Sequence, residues 1–262
     1  MYKNVIFSIC ICVLVLTLSG CKQPDELKVA ASAVPHAEML EHIQPELKQA
    51  GIKLTIVVSD DYNMPNRALA EHAVDANFFQ HANFLAEQIK QFHYPIESIA
   101  KIELEPMGLY SKKVRTIAEL QAGAVIAVPN DPTNEARALL LLQQHGLLQL
   151  KDPKQALATI LDIAQNPHQF KFVEVDTAML ARSLPDVDAA VVNTNYALQA
   201  NLHPAQDALI LEDQQSPYAN VLVIRAGDSQ RADIQALIKA LTSDKMREFI
   251  LQHYKGAVVP AF

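Results

Sequence analysis

Short runs of apolar and β-branched residues alternate with longer amphipathic runs along most of this chain, and this alternation constrains its fold more than any other feature. The short runs predict strands at residues 27–31, 53–58, 101–109, 124–129, 170–175, 189–192 and 221–225. The amphipathic runs predict helices at residues 36–50, 67–73, 82–92, 133–145, 153–163, 176–184 and 234–253. Strands and helices in alternation are typical of α/β structures with mainly parallel sheets.

The order of these elements suggests that the chain forms two such units. A strand, a proline-containing loop and a helix occur at residues 27–50, and the same order returns at residues 124–145. In the second unit Asp131 can cap the helix and Pro132 suits its first position. Lobes of roughly 100 residues each would have an ordinary domain size. The sequence therefore predicts two similar α/β lobes.

The N-terminus has the form of an export signal that ends in a lipidation site. Lys3 precedes an uncharged, mainly apolar run from Val5 to Leu18, and the motif Leu18-Ser19-Gly20-Cys21 closes this run. Such a motif is typical of a lipobox, where a peptidase cleaves before the cysteine. The alternative is an uncleaved membrane-spanning helix, but the run is shorter than the roughly 20 apolar residues that a bilayer requires. We expect a signal peptide at residues 1–20 and a lipidated tether at residues 21–26, with lipid on Cys21.

Cysteine positions and charge argue against several classes of protein. Cys10 and Cys12 lie in the predicted signal peptide, so neither a disulfide nor a thiolate metal site is expected in the remaining chain. The formal net charge is −7, and lysine and arginine form no cluster, which argues against nucleic-acid binding. Attachment to a membrane is therefore expected through the lipid on Cys21.

Motifs of the common enzyme classes are missing from the sequence. It contains no GxSxG, GxGxxG, Walker or HExxH motif, and its histidines are scattered. We expect no catalytic site, no metal and no cofactor.

Residues 75–84 read Asp-Ala-Asn-Phe-Phe-Gln-His-Ala-Asn-Phe, an unusual mixture of aromatic rings, amides and a histidine. One interpretation is a polar-aromatic loop, between a strand and a helix, that lines a site for a small apolar ligand. The other is ordinary core packing, which periodicity alone favours.

Two further segments place polar groups after predicted strands. Arg137 lies in the first turns of the helix that follows the strand at 124–129, where ligands of open α/β sheets commonly bind. It could hold a carboxylate bidentately, or form a surface ion pair with Glu135 or a neighbouring acid. Asn195 follows the strand at 189–192, and Asn220 precedes the strand at 221–225. Their amides could contact a ligand or, as asparagine often does, form turns and helix caps.

These segments carry a family resemblance that extends from about residue 27 to residue 262. The chain resembles the methionine-binding lipoproteins of the NlpA/MetQ type, which are the solute-binding components of methionine ABC importers. The matching stretches are Pro-His-Ala-Glu at 35–38, Asp-Ala-Asn-Phe-Phe-Gln-His at 75–81, Glu-Pro-Met-Gly-Leu-Tyr-Ser-Lys-Lys at 105–113, Pro-Asn-Asp-Pro-Thr-Asn-Glu at 129–135, Val-Asp-Ala-Ala-Val-Val-Asn at 187–193, Ser-Pro-Tyr at 216–218 and Tyr-Lys-Gly-Ala-Val-Val-Pro-Ala at 254–261.

The resemblance implies a two-lobed periplasmic solute-binding protein (type II-like) with its ligand in the cleft between the lobes. Lobe 1 would comprise residues 27–110 and 219–262, and lobe 2 residues 111–218. The resemblance also implies the ligand-binding residues. The first lobe would surround the methionine side chain, Arg137 would bind the ligand carboxylate, and two asparagines would contact the amino-acid backbone; the full set is Tyr62, Phe79, His81, Phe84, Arg137, Asn195 and Asn220. Phe84 departs from the family pattern, which usually has tyrosine there.

The implied function is capture of methionine for an ABC permease and its ATPase, with the L form expected and the D form a further candidate. The protein would act outside the cytoplasm, anchored to the periplasmic face of a membrane or to the cell surface. Alternatives are a binding protein for another amino acid or a short peptide, and a surface lipoprotein that acts as an adhesin.

Overall fold

Two separate sheets organise the chain in the computed structural model, which describes residues 25–262. The main strands are β1 Asp25–Ala31, β2 Ile52–Val58, β3 Ala76–His81, β4 Ile96–Leu104, β5 Gly108–Tyr110, β6 Val125–Pro129, β7 Gln149–Leu150, β8 Ile163–Gln165, β9 Lys171–Val175, β10 Ala189–Val192, β11 Ala208–Leu211, β12 Asn220–Arg225 and β13 Val259–Pro260. The α-helices are α1 Glu38–Gln49, α2 Met64–Ala70, α3 Ala82–Phe92, α4 Pro132–Gln144, α5 Leu180–Ser183, α6 Thr194–Gln199, α7 Pro204–Asp207, α8 Ala232–Leu241 and α9 Asp244–Tyr254.

The first sheet has the strand order β13-β4-β12-β3-β1-β2 and forms the centre of the first lobe. Apolar side chains from α1, α8 and α9 cover one of its faces, and Leu69 of α2 and Leu85 of α3 pack in a separate cluster with Val221 and Val223 of β12. Each face of this sheet thus buries its apolar residues against helices.

The second sheet has the order β11-β5-β10-β6-β9 and forms the centre of the second lobe. Leu139 and Leu142 of α4 pack against Ile126 and Val191 of the sheet, while Leu180 of α5 and the neighbouring Tyr196 belong to another cluster. The two-lobed α/β fold is therefore confirmed.

Both sheets are mixed, whereas the alternating pattern predicted mainly parallel ones. Parallel pairs join β1 to β2 and β3, and join β6 to β9 and β10; the other pairs are antiparallel. The antiparallel pairs involve the strands next to the two crossings between the sheets, residues 105–107 and 212–219. The strand that follows each crossing, β5 or β12, runs antiparallel to its neighbours in the sheet that it joins. Local sequence patterns do not reveal this direction.

Several predicted element boundaries were wrong. Residues 153–163 form no α-helix, because the Thr159–Asp162 capping box closes a single 3-10 turn and Gln149–Leu150 pairs with the strand that follows it. The predicted helix at 234–253 is interrupted where Ser243 caps α9 by accepting a hydrogen bond from the Met246 N–H. The predicted strand at 101–109 starts earlier and is broken at residues 105–107.

The predicted signal peptide, residues 1–20, and the lipidation site Cys21 lie outside the described residues. β1 begins at Asp25, so the last two residues of the predicted tether, Asp25 and Glu26, pair with β2. The strand Gly108–Tyr110 lies in the second sheet, just before the predicted lobe boundary at residue 110; the lobe boundaries stay a prediction. Within residues 25–262, no helix combines the length and apolar composition that a membrane span requires.

Candidate functional site

A cavity lies between the two lobes and is lined by residues of both. All the ligand-binding residues expected from the family resemblance line it: Tyr62, Phe79, His81, Phe84, Arg137, Asn195 and Asn220. The structure thus brings the predicted residues together, and their contact with a ligand stays a prediction.

The first lobe supplies an aromatic wall to this cavity. Phe79 and His81 lie on β3, Phe84 lies on α3, and Tyr62 lies in the loop that precedes α2. The Tyr62 ring centroid is 5.8 Å from that of Phe79 and 5.7 Å from that of Phe84. Residues 76–81 were interpreted as a loop or as core, and they form a fully buried strand whose end borders the cavity. Rings in this arrangement provide an apolar surface that suits a thioether.

His81 is held as a neutral ring. Its Nδ1 accepts a hydrogen bond from the Phe84 N–H at 3.1 Å, which leaves the proton on Nε2, 3.4 Å from Asn134 Oδ1. Burial and, to a smaller extent, the nearby Arg137 charge lower the pKa of His81 to about 3. At neutral pH the imidazole therefore acts as an aromatic surface with one fixed N–H.

We expect the stability of the protein to fall as the pH drops from 6.5 towards 3, partly because of His81. In this window the unfolded histidine binds a proton that the folded one excludes. The free energy of unfolding therefore decreases by up to about 1.4 kcal/mol for each pH unit by which the pH drops. The measurement is urea denaturation of the wild type and of His81→Gln between pH 3.5 and 7. The variant should show a shallower decrease. Glu135, whose raised pKa of about 7 acts in the opposite direction, is present in both proteins; equal slopes would contradict the expectation.

Arg137, the candidate carboxylate ligand, is already held by a second buried charge. Its Nε and Nη2 donate to the two carboxylate oxygens of Glu212 at 3.1 and 2.5 Å, and Nη2 also donates to the Glu105 carbonyl oxygen at 2.8 Å. The Tyr218 ring lies 4.6 Å from the guanidinium carbon. Since Glu105 and Glu212 belong to the two crossings, Arg137 links both crossings to α4. The surface ion pair with Glu135 that the sequence left open is not formed.

One side of the Arg137 guanidinium remains for a ligand. Among the described residues, Nη1 has no hydrogen-bond partner, and it does not belong to the polar atoms that are fully buried without one. Glu212 therefore orients Arg137 and compensates its charge, while Nη1 keeps a donor that no described residue uses.

Two amide atoms at the start of α6 are buried without partners. In the described part of the chain, neither Asn195 Nδ2 nor Asn193 Oδ1 forms a hydrogen bond. Both residues line the cavity. A buried polar group without a partner costs about 1–3 kcal/mol, which a ligand could recover. The cavity thus offers one donor and one acceptor for the polar end of a ligand.

Hydrogen bonds between the lobes hold the cleft in a closed arrangement. The Tyr62 hydroxyl donates to Asn195 Oδ1 at 2.7 Å, and the Tyr196 hydroxyl donates to the Asp60 carbonyl oxygen at 3.1 Å. The His81–Asn134 contact crosses the same cleft. A ligand in this cavity would touch both lobes and would therefore favour the closed state.

Some cavity residues received no role from the sequence: Gln80, Glu105, Asn134, Asn193 and Thr194. Asn134 and Asn193 are hydrogen-bonded to each other at 2.8 Å and tie α4 to the end of β10. Glu105 directly follows the end of β4, and an acid immediately after a strand is the signal that could have identified it.

Glu105 belongs to a buried cluster with His36 and Glu103, whose ligand-type atoms all lie within 4.8 Å of one another. His36 Nε2 is 3.0 Å from Glu103 Oε1 and 3.3 Å from Glu105 Oε1, and His36 Nδ1 is 2.5 Å from the Ser32 hydroxyl. Both ring nitrogens of His36 are thus engaged by protein groups. We interpret the cluster as a hydrogen-bonded support behind the cavity.

Comparison with known proteins identifies the family. The family model described as NlpA lipoprotein matches residues 27–262. The chain belongs to the NlpA lipoprotein family. The resemblance seen in the sequence is therefore confirmed.

Relatives of this NlpA family member include proteins named for methionine. The chain is 39% identical over 251 residues to the D-methionine-binding lipoprotein MetQ of Salmonella typhi, covering 93% of each protein. A methionine-bound nutrient-binding protein from Burkholderia cenocepacia is 45% identical, with a TM-score of 0.87 and coverage of 90% of this chain and all of that one (100%). A periplasmic substrate-binding protein of an ABC transporter from Coxiella burnetii is also 45% identical, with a TM-score of 0.85 and coverage of 90% and 100%.

Proposed function

We propose that this protein is a lipid-anchored binding protein that captures methionine between its lobes and delivers it to an ABC transporter permease with its ATPase. The carrying observation is the interlobe cavity, which joins an aromatic wall to Arg137 and to buried amides without partners. Relatives named for methionine binding support the choice of ligand.

The proposed roles follow from the chemistry of the cavity. The thioether side chain would lie against Tyr62, Phe79, His81 and Phe84, since a polarisable sulfur packs well on aromatic rings. The ligand carboxylate would accept hydrogen bonds from Arg137 Nη1 and from the Asn195 amide.

Asn220 would stand next to the amino-acid backbone of the ligand, on the first-lobe side of the cavity. In this proposal lobe 1 comprises residues 27–110 and 219–262 and lobe 2 residues 111–218, with the strand Gly108–Tyr110 at the boundary contributing to the sheet of the second lobe. The signal peptide at residues 1–20 and the lipid on Cys21 would keep the protein on an extracytoplasmic membrane surface.

The decisive experiment is calorimetry on protein that has been unfolded and refolded to remove bound ligand. We expect saturable binding of L-methionine, of D-methionine or of both, and weaker binding of leucine, which lacks the sulfur. Absence of heat with both methionine isomers at millimolar concentration would contradict the proposal. Mass spectrometry of the molecule that co-purifies with the untreated protein would then identify another amino acid or a peptide.

A further inference from the structure

Glu105 is a buried acid in the wall of the cavity. It lies in the first crossing between the lobes, and 6% of its surface is exposed. The Asn220 amide donates to its Oε1 at 2.9 Å, and His36 Nε2 lies 3.3 Å from the same oxygen. Oε2 has no side-chain partner among the described residues. A buried carboxyl is costly to ionise unless a cation lies beside it.

Glu105 and Arg137 place a carboxyl and a guanidinium close together in the cavity wall. These groups are complementary to the ammonium and the carboxylate of an α-amino acid. The guanidinium of Arg137 donates to the backbone carbonyl oxygen of Glu105, so the two side chains come from adjoining points of the cavity wall. Arg137 offers Nη1 to an anion, and Glu105 offers an oxygen to a cation. Among the residues that line the cavity, no other carboxyl is present.

Several protein groups lie close to the Glu105 carboxyl. His36 stands behind it, Glu103 comes from β4 and Asn220 from β12, and the backbone N–H of Asn195 favours its ionised form. Burial raises the pKa of Glu105 well above its usual range, Glu103 raises it further, and Arg137 opposes both. A cation beside Oε2 would stabilise the charge that this environment otherwise disfavours.

We propose that Glu105 accepts the α-ammonium group of the ligand, and that Asn220 and the His36–Glu103 pair position its carboxyl for this contact. The inference rests on the proposed function, because it assumes an amino-acid ligand. It assigns the two charged ends of the ligand to two residues, the carboxylate to Arg137 and the ammonium to Glu105.

The test compares methionine with methylthiobutanoate, its analogue without the amino group, by calorimetry on wild type and Glu105→Gln. Glutamine keeps the shape and the Asn220 contact but loses the charge. We expect the variant to bind methionine about 10-fold to 100-fold more weakly, with the affinity for the analogue changed by less than about threefold. Equal losses for both ligands, or no loss for methionine, would overturn the inference.

Two further variants keep the test interpretable. Glu135→Gln removes another buried carboxyl, which accepts a hydrogen bond from the Ile160 N–H and lies outside the cavity, and its affinity for both ligands should match the wild type. If Glu105→Gln does not fold, Glu105→Asp retains the charge on a shorter side chain and should also lose affinity selectively for methionine. A wild-type protein that binds no methionine would instead reject the proposed function.

Discussion

Replacing Arg137 with alanine is expected to weaken methionine binding by at least about 100-fold and to lower the free energy of unfolding by about 3–5 kcal/mol. The first effect follows from the loss of the Nη1 donor at the cavity. The second follows because the Glu212 carboxylate, which is buried and accepts two hydrogen bonds from Arg137, would lose its counter-charge. Calorimetry measures the affinity, and urea denaturation of the ligand-free protein measures the stability.

A double variant separates these two effects. In Arg137→Ala with Glu212→Gln, residue 212 no longer carries a buried charge that lacks its counter-charge, so part of the lost stability should return. The glutamine can still accept the hydrogen bond that the Met107 N–H now donates to Glu212 at 3.1 Å. Methionine affinity should stay low, because the ligand carboxylate still lacks its cation. Recovery of affinity in the double variant would show that Arg137 acts only through folding.

Replacing Asn195 with aspartate should also reduce methionine affinity by about 100-fold or more. The change keeps the side-chain shape and the acceptor for the Tyr62 hydroxyl. It converts the buried, unpartnered Nδ2 into a carboxylate oxygen that would face the ligand carboxylate. Two like charges that face each other in a buried site cost several kcal/mol, and a hundredfold loss of affinity corresponds to about 2.8 kcal/mol.

The matched control for this variant is Asn201→Asp, which makes the same change of charge on an exposed residue shortly after α6. Its affinity should equal that of the wild type, since its side chain lies outside the cavity. If Asn195→Asp bound methionine as well as the wild type, the Asn195 amide would not face the carboxylate. Tighter binding would instead place the ligand ammonium beside Asn195 and would conflict with the role proposed for Glu105.

Local signals in the sequence predicted much of the secondary structure. The helix at residues 82–92 was predicted with its observed limits, and the helix that starts at Pro132 was predicted to within a residue at each end. In the second case Asp131 accepts a hydrogen bond from the Asn134 N–H, as a capping residue should. Such signals work because capping and apolar periodicity involve residues that are close in the chain.

The helix predicted at residues 153–163 shows where local reasoning failed. Its composition permits a helix, yet Gln149–Leu150 and Ile163–Gln165 pair as strands around the intervening turns. The mixed strand directions failed for a related reason, because they depend on where the chain crosses between lobes.

The sequence by itself determined the α/β class, the two-lobed organisation and, through the family resemblance, seven of the residues that line the cavity. Only the tertiary structure decided how those residues are engaged. It pairs Glu212 with Arg137 and forms a hydrogen bond from the Tyr62 hydroxyl to Asn195 across the cleft. It also brings the Glu105 carboxyl beside His36 and Asn220. Each of these contacts joins residues that are far apart in the chain. Their geometry depends on how two sheets and their crossings pack together, and no local pattern of residues encodes that packing.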